Sequence, residues 1–239
     1  MRNINFDAIA LTCAALVGSA ASAEMLSWRT DLPGTWIDAT DGLALNLHDD
    51  LVVPITSPVG NAVFAAGVWQ VGNNGAIGFG PSDQLPPVTE PIPTLQMFDA
   101  GQALAPFADD IGDEIGNVYY KVLSRAGRDS LVVIEWFSKR FEGHADTGTF
   151  EVQIFTDPGS NHTYAQMLYQ DIQQPWPGGG AIATIGYQNG AAGFNDAQWS
   201  YHMAGAVYDG LVLSLVPEPA SGLCILAAAV LLLRRRCGT

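Results

Sequence analysis

Apolar residues along this chain come in short runs, cut by clusters of Gly, Pro, Asn and Asp, and long stripes of 3.6-residue period are missing. Leu43, Leu45 and Leu47 alternate with Ala44 and Asn46 until Asp49 and Asp50 interrupt. Runs at 63–71 and 76–79 flank Gly72-Asn73-Asn74-Gly75, and Asn-Gly supplies the positive φ that a tight hairpin needs. Further runs fall at 104–108, 117–123, 131–137, 149–156, 163–169, 181–187 and 208–215. Within them, period two puts Val132, Ile134 and Trp136 on one face and Val133 and Glu135 on the other. It likewise sets Phe150, Val152 and Ile154 against Glu151, Gln153 and Phe155. The five prolines of 81–93 predict a surface loop, and 126–129 and 157–161 predict turns. Many short runs with turn signals between them predict an all-β fold, a single antiparallel β-sandwich of jelly-roll-like form.

The two ends follow another rule. Arg2 precedes an apolar stretch over Ala8–Val17 and then Ala21-Ser22-Ala23, the small-residue exit that a signal peptidase accepts. Residues 1–23 are therefore expected to be a secretory signal helix, with Ala21 and Ala23 marking the cleavage site and 24–215 forming the domain. At the other end Pro217-Glu218-Pro219 leads into an apolar run over 223–233 and then Arg234-Arg235-Arg236. That run is shorter than the ~20 residues of a comfortable spanning helix, and the arginines would stay on the cytoplasmic side.

The order of these parts over 216–239 resembles the PEP-CTERM sorting tail of bacteria, also known as an ice-binding protein C-terminal domain. The resemblance implies a short hydrophobic helix that anchors the protein transiently in the inner membrane. An exosortase-type protease would then recognise Pro217, Glu218 and Pro219, remove the tail and release the protein to the cell surface or the extracellular polysaccharide. Cys237-Gly238-Thr239 after the arginines depart slightly from the pattern. Ice binding does not follow, because regular Thr-rich arrays are missing from the sequence.

Charge and cysteine content change when both ends are set aside. The chain has ten Lys and Arg against 24 Asp and Glu; removing Arg2, Arg234–Arg236, Asp7 and Glu218 leaves six against 22, or −16. A surface this acidic repels phosphate backbones, which argues against a nucleic acid partner. All three cysteines, Cys13, Cys224 and Cys237, lie in the ends, so the domain has neither a disulfide framework nor a thiolate metal site.

A second resemblance spans roughly residues 35–195. It is carried in order by 73–80 (NNGAIGFG), 105–110 (APFADD), 116–120 (GNVYY), 132–136 (VVIEW), 149–154 (TFEVQI) and 183–187 (ATIGY). The series is similar to a nidogen-like extracellular β-sandwich module of secreted bacterial proteins, with Ala108 where that module often has an aromatic residue. Such modules imply a structural or adhesive role and supply no catalytic residues to carry over.

Asp109, Asp110, Asp113 and Glu114, beside Gly112 and Gly116, are candidate Ca²⁺ ligands, because a hard cation takes six to eight oxygens. The EF-hand pattern is missing, and a solvated loop with Asp-capped turns is the simpler reading of the same residues. His48, His144, His162 and His202 never pair at metal-ligand spacing, and neither H-E-x-x-H nor G-x-S-x-G occurs. Glu135 and Glu151 could form a glycosidase pair if a cleft held them, but solvent-facing strand carboxylates are the simpler expectation. Trp176, in a Pro-Gly loop, and Trp199 and Tyr201, after the turn at 195–196, are candidates for stacking on sugar rings; Trp136 reads as core. The sequence thus predicts a non-enzymatic secreted or surface protein, with a carbohydrate-binding module as the alternative.

Overall fold

The computed structural model describes residues 25–58, 60–80, 102–112, 115–125, 128–141, 147–156, 163–172, 181–189 and 196–218. The helices expected at the two ends and the proline-rich loop lie outside these residues. Within them the chain is all-β, with two antiparallel sheets, and no helix is long and apolar enough to cross a membrane.

In chain order the strands are β1 (Leu26–Arg29), β2 (Leu43–Ala44), β3 (Val52–Ser57), β4 (Gly67–Gly72), β5 (Ile77–Phe79), β6 (Gln102–Ala108) and β7 (Asn117–Arg125). Then follow β8 (Arg128–Arg140), β9 (Thr147–Phe155), β10 (Ala165–Asp171), β11 (Thr184–Asn189), β12 (Ala197–Tyr201) and β13 (Val212–Pro217). A seven-stranded sheet has the order β1-β13-β10-β9-β8-β7-β2, and a six-stranded sheet the order β12-β11-β6-β5-β4-β3. Strands β7 to β10 form a meander, in which each strand pairs with the next.

The core lies between the sheets and follows the period-two pattern. Val132, Ile134 and Trp136 of β8 and Phe150, Val152 and Ile154 of β9 are all fully buried. Trp136 stacks on Phe150 with ring centroids 5.1 Å apart, and its Nε1–H donates to Gly72 O of the opposite sheet at 3.1 Å. Tyr169 of β10 also reaches across, donating its hydroxyl to Pro106 O at 2.7 Å. Burial of apolar area on both inner faces is the main stabilising term, at roughly 25 cal/mol per Å².

The Gly72–Gly75 hairpin forms as the sequence predicts, with Gly75 at φ 72°. A Cβ there would stand 2.0 Å from Phe107 O, so only glycine fits. The strand before the turn begins at Gly67, not at residue 63. Asn61 arrests the preceding segment by accepting from Val63 N and Phe64 N through Oδ1, while its Nδ2 donates to Phe155 O and Tyr164 O. The alternation at Leu43–Leu47 yields only the two residues of β2, because Asn46 turns to φ 51° and hydrogen-bonds with Asn117. Strands β1, β3 and β12 were not predicted by the pattern. Of these, β1 pairs with β13 at one edge, and Trp28 Nε1–H donates to Ala197 O of β12 at 2.6 Å, linking the two sheets.

Candidate functional site

The outer face of the seven-stranded sheet carries the least expected arrangement. Glu135 and Glu151 are directly opposite each other on β8 and β9, and both are buried, at 1% and 0% exposure. The expectation that they face solvent is overturned. They do point away from the core, as alternation requires, but residues 33–41 cross over that face as an irregular strap.

The strap binds each strand in turn. Gln166 of β10 donates to Pro33 O at 3.0 Å, and Gln153 of β9 donates to Thr35 O at 2.7 Å. The backbone N–H of Ile37 donates to Glu151 Oε1 at 3.2 Å and that of Ala39 to Glu135 Oε2 at 2.7 Å. Lys121 of β7 donates to Asp38 O at 2.8 Å and pairs with Asp41. Between these polar anchors, buried Ala39 and half-buried Ile37 pack with Leu131, Val133, Tyr119, Leu123 and Phe155. Gly34 passes so close to Val212 and Leu168 that an added Cβ would press on both side chains.

Burial raises both carboxyls above the ordinary carboxylate range, Glu135 to about 7 and Glu151 to about 8. Hydrogen bonds from Ala39 to Glu135, and from Gln153 and Ile37 to Glu151, work the other way and are outweighed. Glu151 Oε2 is buried with no hydrogen-bond partner. Two carboxyls sealed under backbone have no room for a sugar between them, so this pair does not make the open cleft that glycoside cleavage requires.

The acidic candidates separate. Asp110 comes together with Asp49 and Asp50, with ligand oxygens of all three within 4.8 Å of one another, and all three side chains are exposed. Sequence reasoning missed Asp49 and Asp50 as neighbours of this loop. The signal was the Asn73-Asn74 turn, which joins the segments: Asn74 Nδ2 donates to Asp50 Oδ1, and Asn74 Oδ1 accepts from Ile111 N. Asp109 turns inward and is buried; burial raises its carboxyl to about 7, against the hydrogen bond from Asp110 N. Asp113 and Glu114 lie outside the described residues.

Of the aromatic candidates, Trp176 lies outside the described residues. Trp199 is the extra residue of a β-bulge in β12, between the pairs Ile185↔Ser200 and Gly186↔Gln198. It packs on the core, half-buried, with its Nε1–H donated to Ala206 O at 2.9 Å. Tyr201, also half-buried, stacks on His202 at 4.1 Å between ring centroids. Of the sorting residues, Pro217 ends β13 opposite Leu26, and Glu218 N–H donates to Met25 O at 2.6 Å. Pro219, Arg234–Arg236, Ala21 and Ala23 lie outside the described residues.

The described residues thus define a two-sheet antiparallel module with an irregular strap across one outer face. A family model for NIDO-related domains matches residues 35–225, and the chain belongs to that family. Neither the curated proteins nor the solved structures give a match.

Proposed function

We propose that this chain is an exported, non-enzymatic module that works at the cell surface or in the extracellular polysaccharide matrix, in a structural or adhesive role. The observation that carries this reading is membership of the NIDO-related family over residues 35–225, which suggests an extracellular module. The sequence of the two ends supplies the route. Signal peptidase cuts after Ala23, the tail anchors the folded domain transiently in the membrane, and an exosortase-type protease releases it at Pro217-Glu218-Pro219. The backbone link from Glu218 to Met25 is consistent with both cuts falling beside one corner of the domain.

Intact mass of the extracellular species from the native host tests this. A mass spanning Glu24 to about Pro219 is expected, and a cell-retained species that keeps the apolar run contradicts it.

A second reading, polysaccharide binding, draws on the half-exposed Tyr201–His202 stack, with Tyr208 exposed a few residues along. Under that reading, Tyr201→Ala or Trp176→Ala weakens retention on matrix polysaccharide; unchanged retention in both variants removes it.

A further inference from the structure

One sheet of a two-sheet sandwich ordinarily leaves its outer face to water, with polar side chains along it. Here the outer face of β8 to β10 carries Glu135, Glu151, Gln153 and Gln166 beside an apolar patch, and these polar side chains are nevertheless buried. Its cover is a segment without regular structure, so the docking energy of residues 33–41 rests on a few side-chain-to-backbone bonds and a small apolar patch. At the centre of those bonds are two carboxyls in register on neighbouring strands. Cross-strand partners of this kind have Cβ atoms ~5 Å apart, and like charges there repel.

We propose that the strap is a pH-gated cover: it stays docked while the Glu135–Glu151 pair retains a proton, and it lifts when both carboxyls ionise, uncovering the outer face of β7 to β10. The physical reason is the cost of burying charge. A carboxylate sealed from water loses its hydration, and two facing ones add their repulsion. Lifting the strap returns both to water at the expense of its contacts with Gln166, Gln153, Glu151, Glu135 and Lys121 and of the Ile37–Ala39 patch.

The groups that face the pair set the balance. On the strap, Asp38 opposes ionisation of both carboxyls. From β7, Lys121 favours ionisation of Glu135, but its ammonium is shared with Asp38 O and Asp41. On β9, Gln153 donates to Glu151 Oε1; β10 and β13 contribute the neutral Gln166 and Ser214, bonded to each other at 2.9 Å. Burial outweighs the favourable contributions and holds the two carboxyls at about 7 and about 8, so the transition falls in the mildly alkaline range.

Hydrogen exchange at the Ile37 and Ala39 amides reports the strap directly, since these N–H groups donate to the pair. Exchange is measured on the whole chain from about pH 6 to about pH 9.5 and corrected for the intrinsic pH dependence of the chemistry. Protection of both amides is expected to fall about tenfold or more across the upper half of that range while the amides of Val133 and Val152 hold theirs. In the E135Q/E151Q chain the strap amides keep constant protection. Strap and core amides moving in step throughout, or an equal loss in the double-glutamine chain, overturns the proposal. If the double variant does not fold, E151Q alone leaves one titrating group and is expected to shrink the fall, while an undiminished fall counts against the proposal. The wild-type comparison of strap with core amides decides independently of either variant.

Discussion

The two faces of β8 and β9 are equally buried and are held by different physics. On the inner face Trp136, Phe150, Val132 and Ile154 pack without polar partners beyond one indole N–H. On the outer face Glu135, Glu151 and Gln153 are as dry, and the strap's backbone bonds one polar atom of each. Alternation distinguishes which side each residue takes. It is silent on whether the polar side is covered, because a cover can come from anywhere in the chain.

The apolar side is the more sensitive of the two faces to truncation. Trp136→Ala removes the largest inner-face side chain of these strands and the inter-sheet bond to Gly72 O, and should cost about 3–5 kcal/mol in denaturant unfolding. The hairpin that receives that bond is nearly as sensitive. Gly75→Ala forces a Cβ onto Phe107 O at a positive φ, and a loss of about 2 kcal/mol or more is expected from the same experiment.

The polar side responds to pH instead. Both carboxyls are raised above the ordinary value of 4.5, so between that value and about 8 the folded chain holds protons that the unfolded chain has released. Stability from this pair is therefore fully present below about pH 4.5 and is lost as pH rises toward 8. Urea midpoints collected at steps across that window should decline with pH in the natural chain, and the decline should be smaller in E135Q/E151Q.

Smaller effects mark the edges. Trp28→Phe keeps the ring but deletes the donor to Ala197 O, and should cost about 1 kcal/mol, since the carbonyl loses its partner at the seam between sheets. Asp31→Asn, at the exposed Arg29–Asp31 pair just before the strap, should leave thermal unfolding unchanged, because water screens the pair. A marked drop there would mean that the strap's entry is held more tightly than its exposure indicates.

Much of the fold was legible because it is local. The hairpin at 72–75, the inner-face residues of β8 and β9, and the positions of most strands follow from turn chemistry and period two. The short strands β1, β3 and β12 escaped, since each depends on a partner rather than on its own pattern: β3 contains Pro54, a residue that argues against a strand, and β12 carries a bulge at Trp199. The strap was illegible for a stronger reason. Its bonds join residues 96, 114 and 118 positions apart, and a Pro-Gly-containing segment with no periodicity reads as surface loop. The acidic site divides the same way. Asp109 and Asp110 are sequence neighbours of opposite burial, while Asp49 and Asp50 join Asp110 only through the fold of the Asn73-Asn74 turn.

Two carboxyls sealed beneath the strap must differ from exposed acids in the pH at which they lose their protons. Carbon-13 labelling of glutamate side chains and a titration followed by NMR would resolve Glu135 and Glu151 from the exposed acids. Both should remain protonated through mildly acidic pH and titrate near 7 and 8. Titration of both near the ordinary 4.5 would mean that water reaches them, and that the outer face of the sheet is open.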